Sequence, residues 1–281
     1  MSTEKPEEAM TQDELSQAGP ADPSSSRSPI RNAFTTLMTS KRKHPDSPPR
    51  KSRKLHFSSS RRDGLSAYTS HPESYPPTVV IFHNPDFVAI HDLYPKSSVH
   101  MLLLPRSEKH TLLHPFDALE DTKFLAQCRE QAARLKKIVA KELQRRHGRY
   151  SALDAPRQAV LNGDVELEDG QEIPAGRDWE KEIMVGLHAV PSMNHLHIHV
   201  ISVDRFSDCV KHRKHYNSFA TGFFVPLDDF PLAEDDKRRH PGKEGYLNAD
   251  LKCWRCGETF GNKFARLKEH LELEFADWRA E

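Results

Sequence analysis

Short apolar runs and one long periodic stretch divide this chain. VVIF (Val79–Phe82) and FVAIHD (Phe87–Asp92) are β-branched or aromatic, and the turn sequence HNPD lies between them, which predicts a hairpin. VHMLLLP (Val99–Pro105) predicts a third, more buried strand that Pro105 stops. Leu119, Phe124, Leu125, Cys128, Ala132, Leu135, Val139 and Leu143 then recur at steps of mostly three and four, with charges between them. That spacing predicts an amphipathic helix, ended by His147-Gly148. Residues 150–180 are polar and Gly-containing and predict a long loop or insertion of low order. IMVGLHAV (Ile183–Val190) and LHIHVIS (Leu196–Ser202) predict two further strands. Residues 226–250 have the composition of a linker, and the tail from Leu251 forms a separate small module.

Composition changes the picture at the N-terminal end. Hydrophobic residues are 36 % of the 281, below the roughly 45–50 % of a compact domain. Residues 1–57 contribute to the shortfall: rich in Ser, Pro and charge, they cannot bury enough surface to offset ordering and are expected to be disordered. Formal charge is +0 for the whole chain but strongly segregated. Residues 1–26 carry six acidic groups against Lys5, and residues 41–62 carry nine cations against Asp46. A neutral total therefore leaves a nucleic-acid partner open. KRKHPDSPPRKSRK (Lys41–Lys54) has the form of a two-part nuclear address, so the expected location is the nucleus; a solvated basic tail is the other reading. No apolar run approaches the roughly 20 residues of a membrane span, and MSTEKPEEAM shows no secretory h-region, so no membrane partner is expected. With no export signal, the four Cys are expected to be reduced.

The densest chemistry is HLHIHVI, residues 195–201. Alternation along a strand puts His195, His197 and His199 on one face and Leu196, Ile198 and Val200 on the other. Three imidazoles make a poor core face. They can be satisfied histidines, they can grip Zn²⁺, or one of them can be a nucleophile at a phosphate. The surroundings favour the third reading. His188 lies nine residues before His197, and the turn Pro191-Ser192-Met193-Asn194 can aim amides and a hydroxyl at an anion. DCVKHRKHYNSF supplies Lys211, Lys214, His215 and Ser218, and HDLYPKS supplies Asp92 and Lys96. At the other end, Cys253 and Cys256 followed by His270 and Glu274 give the spacing Cys-x2-Cys-x13-His-x3-Glu. Cys-x2-Cys lets two thiolates hold one ion from a tight turn, and His270 and Glu274 share a helix face. A redox pair or an unmetallated helix end would explain fewer of these residues. A module this small lacks a core of its own, so the zinc would be structural. Lys252, Arg255, Lys263, Arg266 and Lys268 give it a cationic surface.

The alternating triad, GLHAVPSMNHLHIHVIS (Gly186–Ser202), HYNSF (His215–Phe219) and LKCWRCGETFG together resemble the aprataxin branch of the histidine-triad nucleotide hydrolases and transferases. The resemblance implies an α+β fold: an antiparallel sheet with helices on one side, plus a small C-terminal zinc finger. The expected divisions are 1–57 (tail), 58–225 (catalytic domain), 226–250 (linker) and 251–281 (finger). It further implies removal of 5′-AMP from adenylated DNA ends through a covalent histidine–AMP intermediate, with AMP as product; a monomer is the expectation, although the sequence itself does not give the oligomeric state. By that resemblance His197 is the nucleophile, His195 and His199 its supports and His188 the general acid. Lys211, Ser192, Ser218 and Lys96 are implied to hold phosphate. Asp92 is implied to hold the ribose, and Leu65 and Met193 to lie by the adenine or the strand end. Structural Zn²⁺ would be held by Cys253, Cys256, His270 and Glu274. One departure is Arg61 in RRDGL, where the family often places an aromatic wedge. Two rival readings remain: a small phosphoramidate or dinucleotide hydrolase, against which the finger and basic tail argue, and a non-catalytic DNA-end binder, against which the complete triad with His188 argues.

Overall fold

The computed structural model describes residues 61–281, so the expectations for the tail and its basic clusters lie outside the described residues. Six strands form one antiparallel sheet: β1 (Val80–His83), β2 (Phe87–His91), β3 (His100–Pro105), β4 (Ile183–His188), β5 (Ile198–Ser202) and β6 (Phe224–Pro226). Their order is β1-β2-β3-β5-β4-β6, so the histidine strand lies inside the sheet between β3 and β4. The helices are α1 (Ser66–Ser70), α2 (Pro115–Ala118), α3 (Thr122–His147), α4 (Ala155–Asn162), α5 (Arg213–Ala220), α6 (Pro241–Glu244) and α7 (Phe264–Ala280). A two-stranded ribbon of β7 (Leu251–Lys252) and β8 (Thr259–Gly261) precedes α7.

α3 is the helix that the three-and-four spacing predicts. Asp121 caps it, accepting from the Lys123 and Phe124 amides, which satisfies two otherwise unpaired donors of the first turn. Its buried stripe, including Phe124, Leu125, Leu135, Val139 and Leu143, packs on Leu103, Ile198 and Val200 of the sheet. The opposite sheet face is also covered. Val88, Ile90, Leu102 and Leu104 alternate outward on that side, and burying them requires a second layer. Leu65, Tyr68 and Met193 supply it, so short helices lie on the face that the sequence leaves bare.

Two expectations for the connecting segments change. Residues 150–180 contain α4 and a buried polar knot rather than a low-order loop. The fully buried Asp154 accepts from the Gln144 side chain, the Arg177 amide and the Trp179 indole. Gly176, at φ +76°, is required beside it, because a Cβ there would lie 2.0 Å from Asp154 Oδ1. Residues 226–250 are packed rather than a loose linker: Leu227, Phe230 and Leu232 join the main core. Sequence composition shows polarity, but it does not show which few apolar residues find the core. Asp154→Ala would strand three donors, and a loss of about 2–4 kcal/mol is expected from urea unfolding. A loss below about 0.5 kcal/mol, as at ordinary surface sites, would mean that this knot does not hold the segment.

The C-terminal module is not separate in packing. Leu251, Cys253, Leu267 and Leu271 share a buried cluster with Val210 and Tyr216. Trp278 enters the main core, edge-to-face with Trp179 at 5.9 Å. The buried Arg177 guanidinium lies between these two indoles, donates to the Trp278 carbonyl and pairs with Glu182 and Glu281.

Candidate active site

The sheet presents a pocket on the face away from α3. Its apolar end is lined by Leu65, Tyr68, Ile90, Leu102 and Met193. Its polar end gathers His188, Ser192, His197, His199 and Ser218, with Asp92 and Lys96 on one wall. Strand pairing explains the convergence. His199 on β5 faces Leu102 of β3 and Gly186 of β4, and His188 ends β4 opposite Phe224. Gly186 is needed here, since a Cβ would lie 2.7 Å from the Phe224 ring that lies over this strand. The ladder of β5 begins at Ile198, two residues later than the sequence predicts, because the Leu196 amide turns to the Thr111 carbonyl instead.

Hydrogen bonds fix the nucleophile candidate. His197 Nδ1 lies 2.7 Å from the His195 carbonyl oxygen. A carbonyl can only accept, so Nδ1 carries the proton and Nε2 keeps its lone pair. His199 sits at the centre of a group of rings: centroids of His188, His197 and His100 lie 4.5, 4.9 and 5.1 Å from its own. Burial is the main cause that lowers the pKa of all four; Lys96 adds to it at His100, His188 and His199, while the His195 carbonyl and Asp92 oppose it at His197. His100 falls to about 4, although Asp92 opposes the shift. His188 and His199 are held well below the usual value. The result is a set of neutral, buried imidazoles, with His188 Nε2 and His199 Nε2 unbonded among the described residues. Buried ring nitrogens without a partner call for a polar group from a ligand, and Lys96 supplies a cation on the same wall.

Metal chemistry has a poorer fit at this end. Asp92, His100 and His199 place donor atoms within 4.8 Å of one another. His100 Nε2 and His199 Nδ1, however, are already bonded to each other at 2.9 Å. The alternating set His195, His197 and His199 does not converge on one point, because the His195 ring does not line the pocket.

At the C-terminal module the fit is good. Donor atoms of Cys253, Cys256, His270 and Glu274 all lie within 4.8 Å of one another. Cys256 Sγ is 3.2 Å from His270 Nε2, which is 3.1 Å from Glu274 Oε1. Donors around a tetrahedral zinc, at about 2.0–2.3 Å from the ion, stand roughly 3.3–3.8 Å apart, so only small shifts are needed. Arg255 holds the other Glu274 oxygen at 2.7 Å and so orients the carboxylate.

Comparison with known proteins agrees with this layout. A HIT domain family matches residues 73–206, and the C2HE / C2H2 / C2HC zinc-binding finger family matches residues 220–277. An aprataxin-like protein of Schizosaccharomyces pombe is 35% identical over 251 residues, covering 88% of this chain and 94% of that one. The aprataxin-like protein of Saccharomyces cerevisiae is 35% identical over 226 residues, covering 76% of this chain and 95% of that one. This chain belongs to the aprataxin-like family. The crystal structure of the aprataxin ortholog Hnt3 in complex with DNA superposes with a TM-score of 0.60 at 32% identity, over 77% of this chain and 96% of that one. A second Hnt3 structure, with DNA and guanosine, gives the same values.

Membership makes this aprataxin-like chain, in broad outline, a nucleotide hydrolase of the HIT class with a C2HE zinc finger. Most residues singled out in the sequence meet in the pocket: His188, His197, His199, Ser192, Ser218, Met193, Leu65, Asp92 and Lys96 all line it. Lys211 does not; it is exposed, and its amide donates to His215 Nδ1 at 3.2 Å. His195 contributes its carbonyl to the site rather than its ring. His100 was missed. The signal was present, since alternation along VHMLLLP sets His100 on the face of Leu102 and Leu104, where a polar group needs a reason. Tyr68 and Phe219 were also missed, and only tertiary packing brings them to the pocket.

Proposed function

We propose that this aprataxin-like chain removes 5′-AMP from adenylated DNA ends. The observation that carries the reading is the Nε2 of His197, left with its lone pair by the Nδ1 bond, in a pocket that Leu65, Tyr68, Ile90, Leu102 and Met193 also line. In the first step Nε2 attacks the α-phosphorus and forms a P–N bond. The bond from that phosphorus to the bridging oxygen breaks, and the DNA 5′-phosphate leaves with a proton from His188. In the second step His188 takes a proton from water as the water oxygen bonds to phosphorus. The P–N electron pair returns to His197, and AMP departs.

His188 needs a proton that burial denies it in the empty pocket. A bound diphosphate supplies the negative charge that stabilises the imidazolium, so substrate binding itself arms the acid. Ser192 and Ser218 hold the equatorial oxygens, with His199 beside them. Asp92 holds the ribose hydroxyls, while Leu65 and Met193 enclose the base. Lys96 faces the DNA phosphate, and Lys211 reaches the backbone outside the pocket.

Zn²⁺ at Cys253, Cys256, His270 and Glu274 would be structural. Cys253 and Cys256 lie between β7 and β8 and His270 and Glu274 lie on α7, so a shared ion would tie the β7–β8 turn to α7. DNA binding is supported by the Hnt3 complexes and by the cationic residues of the finger. The clusters from Lys41 to Lys54 support location in the nucleus.

The test is AMP release from 5′-adenylated nicked DNA, beside a free dinucleotide and an AMP amidate, each with and without chelator. Adenylated DNA should be consumed at least about tenfold faster than the small substrates. Preference for the dinucleotide would move the assignment to a small-molecule hydrolase, and no release from any substrate would leave only a binder.

A pH profile follows from the burial of His197. Its pKa lies below the usual imidazole value of 6.5, so the nucleophile is protonated, and lost, only at pH values below that. The acid limb of kcat/KM for the AMP amidate is expected to have its midpoint under pH 6.5. A midpoint at or above 6.5 would contradict a buried nucleophile.

A further inference from the structure

One side chain ties the first described residues to the turn that precedes the histidine strand. Arg62 Nε donates to the Ser192 carbonyl and Arg62 Nη2 to the Pro191 carbonyl, each at 2.8 Å. The Arg62 carbonyl accepts from the Asn194 amide at 2.9 Å, and the Asn194 side chain donates to Asp63 at 2.7 Å. Four bonds thus join two segments about 130 residues apart.

The consequence is geometric. In a trans peptide the N–H points opposite to the C=O. A guanidinium fork that takes the carbonyls of Pro191 and Ser192 therefore turns the amides of Ser192 and Met193 the other way. Those two residues line the pocket, at 3 % and 5 % exposure, whereas Arg62 does not. Neither amide donates to an acceptor among the described residues. Buried amides almost always have a partner, so two adjacent ones without an acceptor point to an anion that completes them.

We propose that Arg62 is a positioning residue. It holds the Pro191–Asn194 turn so that the Ser192 and Met193 amides face the α-phosphate of the nucleotide, and it links this anion cradle to the Arg61–Asp63 turn. The proposal rests on the reading of the pocket as an adenylate site. Arg suits the task because its planar fork spans two carbonyls at once, which a Lys ammonium cannot match in geometry. The backbone cradle thereby becomes dependent on a residue that never meets the nucleotide.

The test uses the full chain, Arg62→Ala and Arg62→Lys. A misplacement of about 1 Å in positioned groups can cost about 100-fold. Arg62→Ala should lower kcat by about 10- to 100-fold on both adenylated DNA and the AMP amidate. Affinity for unadenylated nicked DNA should stay within about twofold. Arg62→Lys should recover part of the kcat loss. In the wild-type chain, AMP should move the amide proton resonances of Ser192 and Met193 downfield, and Arg62→Ala should abolish that movement. Two results would each overturn the proposal: wild-type kcat on the amidate in Arg62→Ala, or wild-type Ser192 and Met193 amides that do not respond to AMP. The second needs no variant, so it decides the matter even where Arg62→Ala fails to fold. Failure of the pocket assignment looks different: the wild-type chain itself would neither bind AMP nor release it.

Discussion

His197→Ala is expected to abolish AMP release, by about 10⁴-fold or more, the scale seen when a covalent nucleophile is removed. The physical ground is specific to this ring. Its Nδ1 proton is committed to the His195 carbonyl, so Nε2 is the lone pair offered to the pocket. His199 Nδ1 is bonded to His100 but its Nε2 is unbonded, and His188 is assigned the leaving-group proton, so the variant also tests whether a neighbouring ring can stand in. Binding of adenylated DNA should persist, because the groups that hold the nucleotide are other residues. Loss of the ring leaves one carbonyl without its donor, a cost of about 1–3 kcal/mol that a stable domain tolerates. The measurement is a single-turnover assay with labelled AMP, quenched in base to preserve the P–N bond. Wild-type protein should carry label transiently and the variant none. A variant that keeps a tenth of the wild-type rate would remove His197 from the nucleophile role.

Cys256→Ser should produce the second large effect, loss of the metal. Apparent binding energies of structural zinc in small fingers are about 10–16 kcal/mol, so removing one of four donors should weaken binding by several orders of magnitude. Elemental analysis after dialysis should fall from about one zinc per chain to near zero. Thermal stability should fall with it, because the finger's buried residues share one cluster with Val210 and Tyr216. End-binding affinity should drop more than turnover of the AMP amidate, whose pocket lies on the sheet. Full zinc content in the variant would show that Cys256 is not a ligand.

The sheet and the long helix were legible because each has a strong periodic signal and buries one face. The pocket was legible because five of its polar members sit within a short distance of the histidine strand in sequence. What escaped was mostly decided by contacts between distant segments. α5 was hidden in DCVKHRKHYNSF, whose polar composition hides the apolar face of Tyr216 and Phe219. β6 spans only three residues and exists because it pairs with β4. Asp154 and Arg177 looked like solvated charges in a polar stretch, yet they are buried at the junction with the C-terminal helix. Arg62 was one cation among nine in a basic run, and nothing in that run marks it as the one that holds a turn.

The junction of Trp278 with Trp179 and Arg177 has a practical consequence. A shortened version that stops at residue 225 would strip away the indole that closes the rear of the catalytic half. It would leave Arg177 without its carbonyl partner and expose an oily scar where the last helix had been. Such a fragment is a poor surrogate for the enzyme: its aggregation or slack behaviour would report the wound rather than the chemistry, and the two halves are better studied as one cooperative body.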